Sequence, residues 1–373
     1  MTARVVVFAD LRGPGLGDLV QRNIMLALLR SAYPASEITL VVGESVYRRN
    51  TEFLTEHTYA DTVVCCPDGD RAAREWQAFT RWLARGAFRV CVVDPDSVGL
   101  DATTARDAAI PVRLAVLSGG EGDAATTHPI RPGRTVGGVS DLYDYACALA
   151  RAIGLPASPR PGETVPPLPL RSEQVVDVAV GRPLVVVHPG GAPHWNRRWP
   201  LDRYAEVCVR LADAGATTYL LGDAAEQTES SLLRRLIRAE RPAAAVQLAV
   251  GLPLNRTLNL LAAADLLIGN DSAPAHLSAA LRTPAVVLYG PTDTEWLWTR
   301  VYPRHRGVSV PASCRRIRHT AAAVAERRCE YDCSIRYLGP DGPYPRCLTE
   351  LPVATVWRAV DEILATRLER TQR

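Results

Sequence analysis

Short continuous apolar runs, each ending at a glycine or small polar residue and each followed by residues at helical spacing, recur along most of this 373-residue chain. The first is Arg4-Val-Val-Val-Phe-Ala-Asp10, which runs through Leu11-Arg-Gly-Pro-Gly-Leu-Gly-Asp18 into Val20, Ile24, Ala27 and Leu28. An apolar run without alternation suits a strand buried on both faces, whereas spacings of three and four give one apolar helical stripe. Ile38–Val42, Thr62–Cys65 and Arg89–Asp94 continue the strands, and Ala72–Ala84 and Ser140–Ile153 are expected to be helices. Residues 117–138, rich in Gly, Thr and Pro and without a period, read as a long loop. Alternating strand and helix forces right-handed crossovers, so the expected fold is α/β with parallel sheets covered on both faces.

The pattern breaks once. Leu155–Leu170 holds six prolines in sixteen residues and no period, as an extended linker does. It then restarts. Leu184–His188 ends in Pro189-Gly190-Gly191, and Pro200 opens a helix with Tyr204, Val207, Cys208 and Leu211 on one face. Thr217–Leu221 ends in Gly222-Asp-Ala-Ala-Glu226, a helix runs through Ile237, a short strand lies near Val246, and Leu252–Ala264 is loop and helix. The chain therefore divides into 1–155, a linker over 156–170, a second domain over 171–350, and a helix within 351–373 that carries Val356, Val360, Ile363 and Leu364 on one face and returns to the first domain.

In doubly wound sheets ligands sit beyond the carboxyl ends of the strands, where every glycine-rich loop of this chain falls. The most informative loop is in Asp265-Leu-Leu-Ile-Gly-Asn-Asp-Ser-Ala-Pro-Ala-His276, a strand, a tight turn and a Pro-led helix start. The first turn of a helix leaves backbone N–H groups unpaired at the positive end of the dipole, which makes an anion site. Ser272 and His276 can add hydrogen bonds there and Asp271 can orient them; the alternative is a plain junction with a capping side chain.

Composition excludes several classes. Apolar residues make up 47% and charged residues 22%, a globular mix, and Lys plus Arg exceed Asp plus Glu by only three, so nucleic acid is not an expected partner. Met1–Asp10 lacks the features of a signal peptide and no apolar run reaches the length of a membrane span, so the expected location is cytoplasmic. Cys91, Cys147 and Cys208 lie inside apolar runs and read as core thiols. Cys314, Cys329, Cys333 and Cys347 share one Arg-rich segment, but without the paired knuckles of common zinc ribbons no metal is expected.

Taken together, Leu16-Gly17-Asp18, His188-Pro-Gly-Gly with Arg197-Arg-Trp-Pro200, Gly222-x-x-x-Glu226, Asn270-Asp-Ser-Ala-Pro-Ala-His276 and Tyr289-Gly-Pro-Thr-Asp293 resemble the ADP-heptose:lipopolysaccharide heptosyltransferases, glycosyltransferase family 9. The resemblance covers residues 4 to 300 and, weakly, the tail with Cys329, Cys333 and Cys347. It implies a GT-B fold, two Rossmann-like domains facing a cleft, the first holding the acceptor and the second the nucleotide-sugar. It also implies inverting transfer without a metal or other cofactor, with Asp18 as general base. A sugar hydroxyl is a poor nucleophile, and a carboxylate in the loop after the first strand can take its proton; as a residue, Asp18 is equally suited to capping the helix that follows.

The resemblance further assigns donor binding to Arg197, Arg198, Glu226, Asp271, Ser272, Ala273, Pro274 and His276, with Glu226 on the ribose and the rest at the diphosphate. Gly15, Gly17, Gly190, Gly191, Gly222, Gly290, Thr292 and Asp293 are the accompanying loop positions. Two residues depart from the family pattern: Arg197 stands where Lys is common, and Ala273 where Gly is usual. Arg is a planar fork rather than a point charge, and Ala restricts φ and adds a methyl beside the phosphate. The acceptor would be a lipid-linked core oligosaccharide, placing the enzyme peripherally at the inner membrane, or a small molecule of a natural-product pathway. Other readings are a non-hydrolysing nucleotide-sugar epimerase of the same fold and a non-catalytic nucleotide-sugar binding protein.

Overall fold

The computed structural model describes residues 3–11, 15–68, 73–133, 135–136, 139–169, 183–191, 197–290, 298, 301–310, 336–339 and 342–371. It forms two units, Met1–Thr135 with Ser140–Arg171, and Val136–Val139 with Ser172–Arg373. In the first, the strands are β1 (Arg4–Ala9), β2 (Glu37–Gly43), β3 (Thr62–Cys66), β4 (Phe88–Val93), β5 (Val112–Val116) and β6 (His128–Ile130). The helices are α1 (Leu16–Ala32), α2 (Glu44–Arg49), α3 (Thr51–Glu56), α4 (Arg74–Arg85), α5 (Ala102–Asp107) and α6 (Leu142–Ala152). The sheet runs β3-β2-β1-β4-β5-β6, parallel throughout.

Two short strands, β7 (Thr135–Val136) and β8 (Val139–Ser140), pair with each other. The second unit then repeats the first design with β9 (Leu184–His188), α7 (Leu201–Asp213), β10 (Thr217–Gly222), α8 (Gln227–Glu240), β11 (Val246–Val250), α9 (Leu254–Ala263), β12 (Leu266–Asn270), α10 (Ala273–Ala280), β13 (Ala285–Leu288) and β14 (His305–Val308). Its order, β11-β10-β9-β12-β13-β14, is also wholly parallel. In both sheets the first strand is central and the order reverses beside it, which is the switch point where α/β folds bind ligands. The α/β, doubly wound architecture expected of a GT-B chain is thus present in each half.

The apolar runs behave as their composition requires. Val5 to Ala9 are wholly buried between helix layers. Trp76, Phe79 and Leu83 of α4 pack on Phe8 and Phe88, with Trp76 edge-on to Phe79 at 5.5 Å. The second core gathers Val185, Val187, Trp199, Tyr204, Val207, Leu211, Leu233 and Ile268. Val356, Val360 and Leu364 of the final helix, Val353–Thr371, belong to this core, so its apolar stripe is buried in the second unit and not on the first as expected.

Three further segments differ from expectation. Residues 117–138 are not loop throughout: a 3-10 turn, Glu121–Ala125, leads into β6, whose three residues are too few to show a period. Helix α6 begins after Asp141, whose side chain accepts from the Asp144 amide and ends the preceding extended segment. The proline-rich stretch is not extended throughout: it holds a 3-10 turn, Pro161–Glu163, Val165 and Leu168 are buried, and Pro167 and Pro169 accept from the Tyr59 hydroxyl (2.7 Å) and Nδ1 of His57 (2.8 Å). It is a strap on the first unit, and the division between units falls after Arg171.

Candidate functional site

The loops after β9, β10 and β12 meet at the carboxyl edge of the second sheet. Asn270, the last residue of β12, is 1% exposed and uses its whole amide. Its Nδ2 donates to the carbonyls of Pro189 (2.8 Å) and Gly190 (2.9 Å), and its Oδ1 accepts from the Tyr204 hydroxyl (2.9 Å) and the Trp199 amide (3.3 Å). Each bond is worth about 1 kcal/mol net, but each buried partner left unpaired costs about 1–3 kcal/mol, so Asn270 fixes both flanking loops.

Glu226 holds the same loop from the other side. Its Oε1 accepts from the Gly191 amide (2.8 Å) and lies 3.6 Å from Arg198; its Oε2 accepts from the Asp223 amide (2.9 Å) and lies 3.4 Å from Nε2 of His188. Asp223 returns a bond to the Glu226 amide at 3.0 Å, completing a capping box that starts the turn into α8. Burial pushes this carboxyl up, but the His188 hydrogen bond and charge and the two amides outweigh it and hold it down at about 2. Gly190 is required here: a Cβ would fall 1.8 Å from Oε1 of Glu226. Gly222 lies against the same side chain, where a Cβ would meet Oε2 at 3.1 Å. Gly191 has φ of +143°, which favours glycine.

Backbone amides therefore take one acceptor direction on each oxygen of Glu226, and Arg198 and His188 stand at longer range beside them. A ribose hydroxyl, the partner implied by the family resemblance, would replace the longest of them, toward His188 or Arg198. Arg198 donates to Glu229 (2.5 Å) and to the Gly191 carbonyl (3.2 Å). Both it and Arg197 are half-buried.

Ser272 precedes α10 with extended backbone, but its hydroxyl does not cap the helix. It lies 3.1 Å from Nδ1 of His188 and 3.2 Å from the Asn270 carbonyl. The first turn of α10 thus keeps its dipole end open at Ser272, Ala273 and Pro274, all half-buried. Ala273 stands in the helical first turn and has no positive φ, so alanine in place of glycine brings no backbone strain. Asp271 and His276 lie deeper. His276 is 7% exposed, its Nδ1 is 2.7 Å from the Tyr302 hydroxyl, its Nε2 is 3.9 Å from Asp271, and its ring meets Trp298 edge-on at 4.8 Å. It is a packed histidine of α10, enclosed by Tyr302 and Trp298. Gly290 is buried at the end of β13; Thr292 and Asp293 fall outside the described residues.

Asp18 belongs to the first unit. It occupies the first turn of α1, where its Oδ2 accepts from the Gly15 amide at 2.8 Å, with Gly17 buried beside it. Behind it, Arg22 donates to the Asp18 carbonyl (3.3 Å) and pairs with Asp94 (2.9 Å) and Asp96 (2.5 Å). Burial raises the Asp94 carboxyl and Arg22 opposes that rise. Cys91, Cys147 and Cys208 are buried core thiols; Cys347 is buried as well, while Cys314, Cys329 and Cys333 lie outside the described residues. No helix among the described residues is long and apolar enough to cross a membrane.

The sequence motifs contained His188 and Asn270, and the helix after Pro200 contained Tyr204, without marking them as functional. Strand-end position was the available signal for His188 and Asn270, since the last residue of a central parallel strand borders the switch point.

The model of glycosyltransferase family 9 (heptosyltransferase) matches residues 140–324. Lipopolysaccharide heptosyltransferase 2 of Escherichia coli (strain K12) is 32% identical over 115 residues, 31% of this chain and 33% of that protein, so the match spans about a third of that relative's length. Lipooligosaccharide heptosyltransferase 2 of Haemophilus ducreyi is 23% identical over 309 residues, 76% of this chain and 83% of that protein. The structure of E. coli ADP-heptose LPS heptosyltransferase II superposes with a TM-score of 0.61 at 19% identity, covering 98% of this chain and 99% of that one, which shows a shared fold. The chain is similar to the heptosyltransferases of glycosyltransferase family 9, whose model matches residues 140–324, just under half of it.

Proposed function

We propose that the protein transfers a heptose from an ADP-heptose-type donor to a hydroxyl of an acceptor, with inversion and without a metal. The observation that carries this reading is the grouping of Arg198, the Gly190-Gly191 loop and the open first turn of α10 at one switch point. As the glycosidic bond breaks, charge grows on the diphosphate, and a guanidinium pair at Arg197 and Arg198 with a helix N-terminus would stabilise it. Ser272, Ala273 and Pro274 face the phosphates, Glu226 the ribose edge.

Asp18 is the general base. One of its oxygens holds the Gly15 amide, but a carboxylate has further lone pairs, so capping and proton acceptance are compatible. The acceptor oxygen attacks the anomeric carbon from the face opposite the diphosphate, Asp18 takes its proton, and the nucleoside diphosphate departs with the bonding electrons.

Incubation with ADP-heptose and each acceptor class, followed by mass analysis, tests the reading. Asp18→Asn is expected to retain donor binding and lose at least a hundredfold in turnover, within the usual range of about 10²–10⁴ for a general base. An epimerised nucleotide-sugar formed from donor alone would overturn the transferase reading, and unchanged turnover in Asp18→Asn would overturn the mechanism.

A further inference from the structure

His188 is 5% exposed at the end of β9, between the two ends of the nucleotide site. Its Nε2 lies 3.4 Å from Oε2 of Glu226, and its Nδ1 lies 3.1 Å from Oγ of Ser272. Glu226 is the charged group facing it from the β10 side, and Arg198 lies 3.6 Å from the other oxygen of that carboxylate. From the β12 and α10 side, the neutral Ser272 and Asn270 face it, and Asp271 is next to both in the chain.

The protons in this row can be counted. Both oxygens of Glu226 accept from backbone amides, of Gly191 and Asp223, so the carboxylate only accepts and the imidazole nitrogen facing it carries hydrogen. In the neutral ring Nδ1 is then bare and accepts the Ser272 hydroxyl proton at 3.1 Å, in competition with the Asn270 carbonyl at 3.2 Å. The Ser272 oxygen would then offer only lone pairs to an incoming diphosphate. In the imidazolium, Nδ1–H donates to Oγ instead, and the serine proton is released, to the Asn270 carbonyl at 3.2 Å or to a phosphate oxygen.

We propose that His188 is a positioning residue that takes up a proton when a nucleoside diphosphate binds, turning the Ser272 hydroxyl from a donor to His188 into a donor to the phosphate. This rests on the nucleotide-sugar reading of the site. Histidine suits the task because its charge changes near neutral pH. The bound anion and Glu226 would share the cation between them, so the ribose-end carboxylate and the phosphate-end hydroxyl act through one ring.

Calorimetric titration of the full chain with ADP at pH 8, in two buffers of different ionisation enthalpy, reads the proton directly. At this pH the free ADP phosphates are fully ionised. Uptake approaching one proton per ADP is expected, with Kd rising as pH is raised. His188→Gln keeps a donor toward Glu226 but cannot gain charge; it should bind ADP more weakly, with no uptake and no pH slope. Ser272→Ala removes the hydroxyl while leaving His188 and Glu226 in place, and should also reduce uptake, which covers the case of a His188 variant that does not fold. Binding of ADP without proton uptake, or equal uptake in Ser272→Ala and the parent, would overturn the inference while leaving the nucleotide reading intact. A chain that binds no ADP would overturn both.

Discussion

Replacing Glu226 by Gln is the most direct probe of how the second unit builds its loop edge. The substitution preserves shape and one oxygen but turns the other acceptor into an NH2 group. Because both oxygens accept from backbone amides, of Gly191 at 2.8 Å and Asp223 at 2.9 Å, one buried N–H must face another donor whichever way the amide is flipped. An unpaired buried donor costs about 1–3 kcal/mol. Independently, the fall of the Glu226 carboxyl from 4.5 to about 2 corresponds to a stabilisation on the order of 3 kcal/mol, since each unit is worth about 1.4 kcal/mol. These views describe the same contacts and are not summed, so the expected loss at pH 7 is about 2–4 kcal/mol. The sign is fixed: a carboxyl depressed by folding contributes fully above its unfolded value of 4.5 and loses that contribution as pH falls through about 2. The variant has no such group, so the gap between the two proteins should narrow steadily from pH 4.5 downward. Urea unfolding at several pH values measures it. With two units present the transition is not assumed to be two-state, and hydrogen exchange at the Gly191 and Asp223 amides assigns the loss to this loop. A gap below about 0.5 kcal/mol at pH 7, or one that stays constant from pH 5 to pH 3, would refute the account of Glu226 as an ionised staple.

Two other substitutions test neighbouring parts of the design. Gly190→Ala puts a methyl 1.8 Å from the Glu226 carboxylate, so the side chain must move; a loss of at least tenfold in ADP affinity is expected by calorimetry, and an unchanged affinity would show that the loop position does not matter to the ligand. Arg22→Met strands the buried Asp94 without its cation, and the usual cost of about 3–5 kcal/mol for breaking such a pair should appear in unfolding of the first unit, with part of it recovered in the double variant that also carries Asp94→Asn.

The sheets were legible because parallel strands buried on both faces must be continuously apolar, and Val5–Ala9 and Leu184–Val187 are. Segments too short to carry a period, such as β6 and the 3-10 turn before it, were not. The proline-rich stretch shows a different limit. Composition keeps α-helix and strand out of Leu155–Pro169, but the bonds from His57 and Tyr59 that tie it to the first unit depend on which surface lies nearby, and no local pattern encodes that.

The site divides in the same way. Glycine positions could be read because a missing Cβ leaves a sequence signature, and Gly190 and Gly191 are needed for the close approach and positive φ that they suggest. What the motif could not show is that its polar residues serve each other before they serve a ligand. Ser272 reads as an N-cap, yet its hydroxyl is drawn to His188, from a strand 84 positions earlier, and the helix start has no side-chain cap. His276 reads as a phosphate ligand, yet Tyr302 and Trp298 enclose it. An anion site at a helix terminus needs its capping side chain turned away, and the long-range contact that turns Ser272 is what separates such a site from an ordinary capped junction of the same sequence.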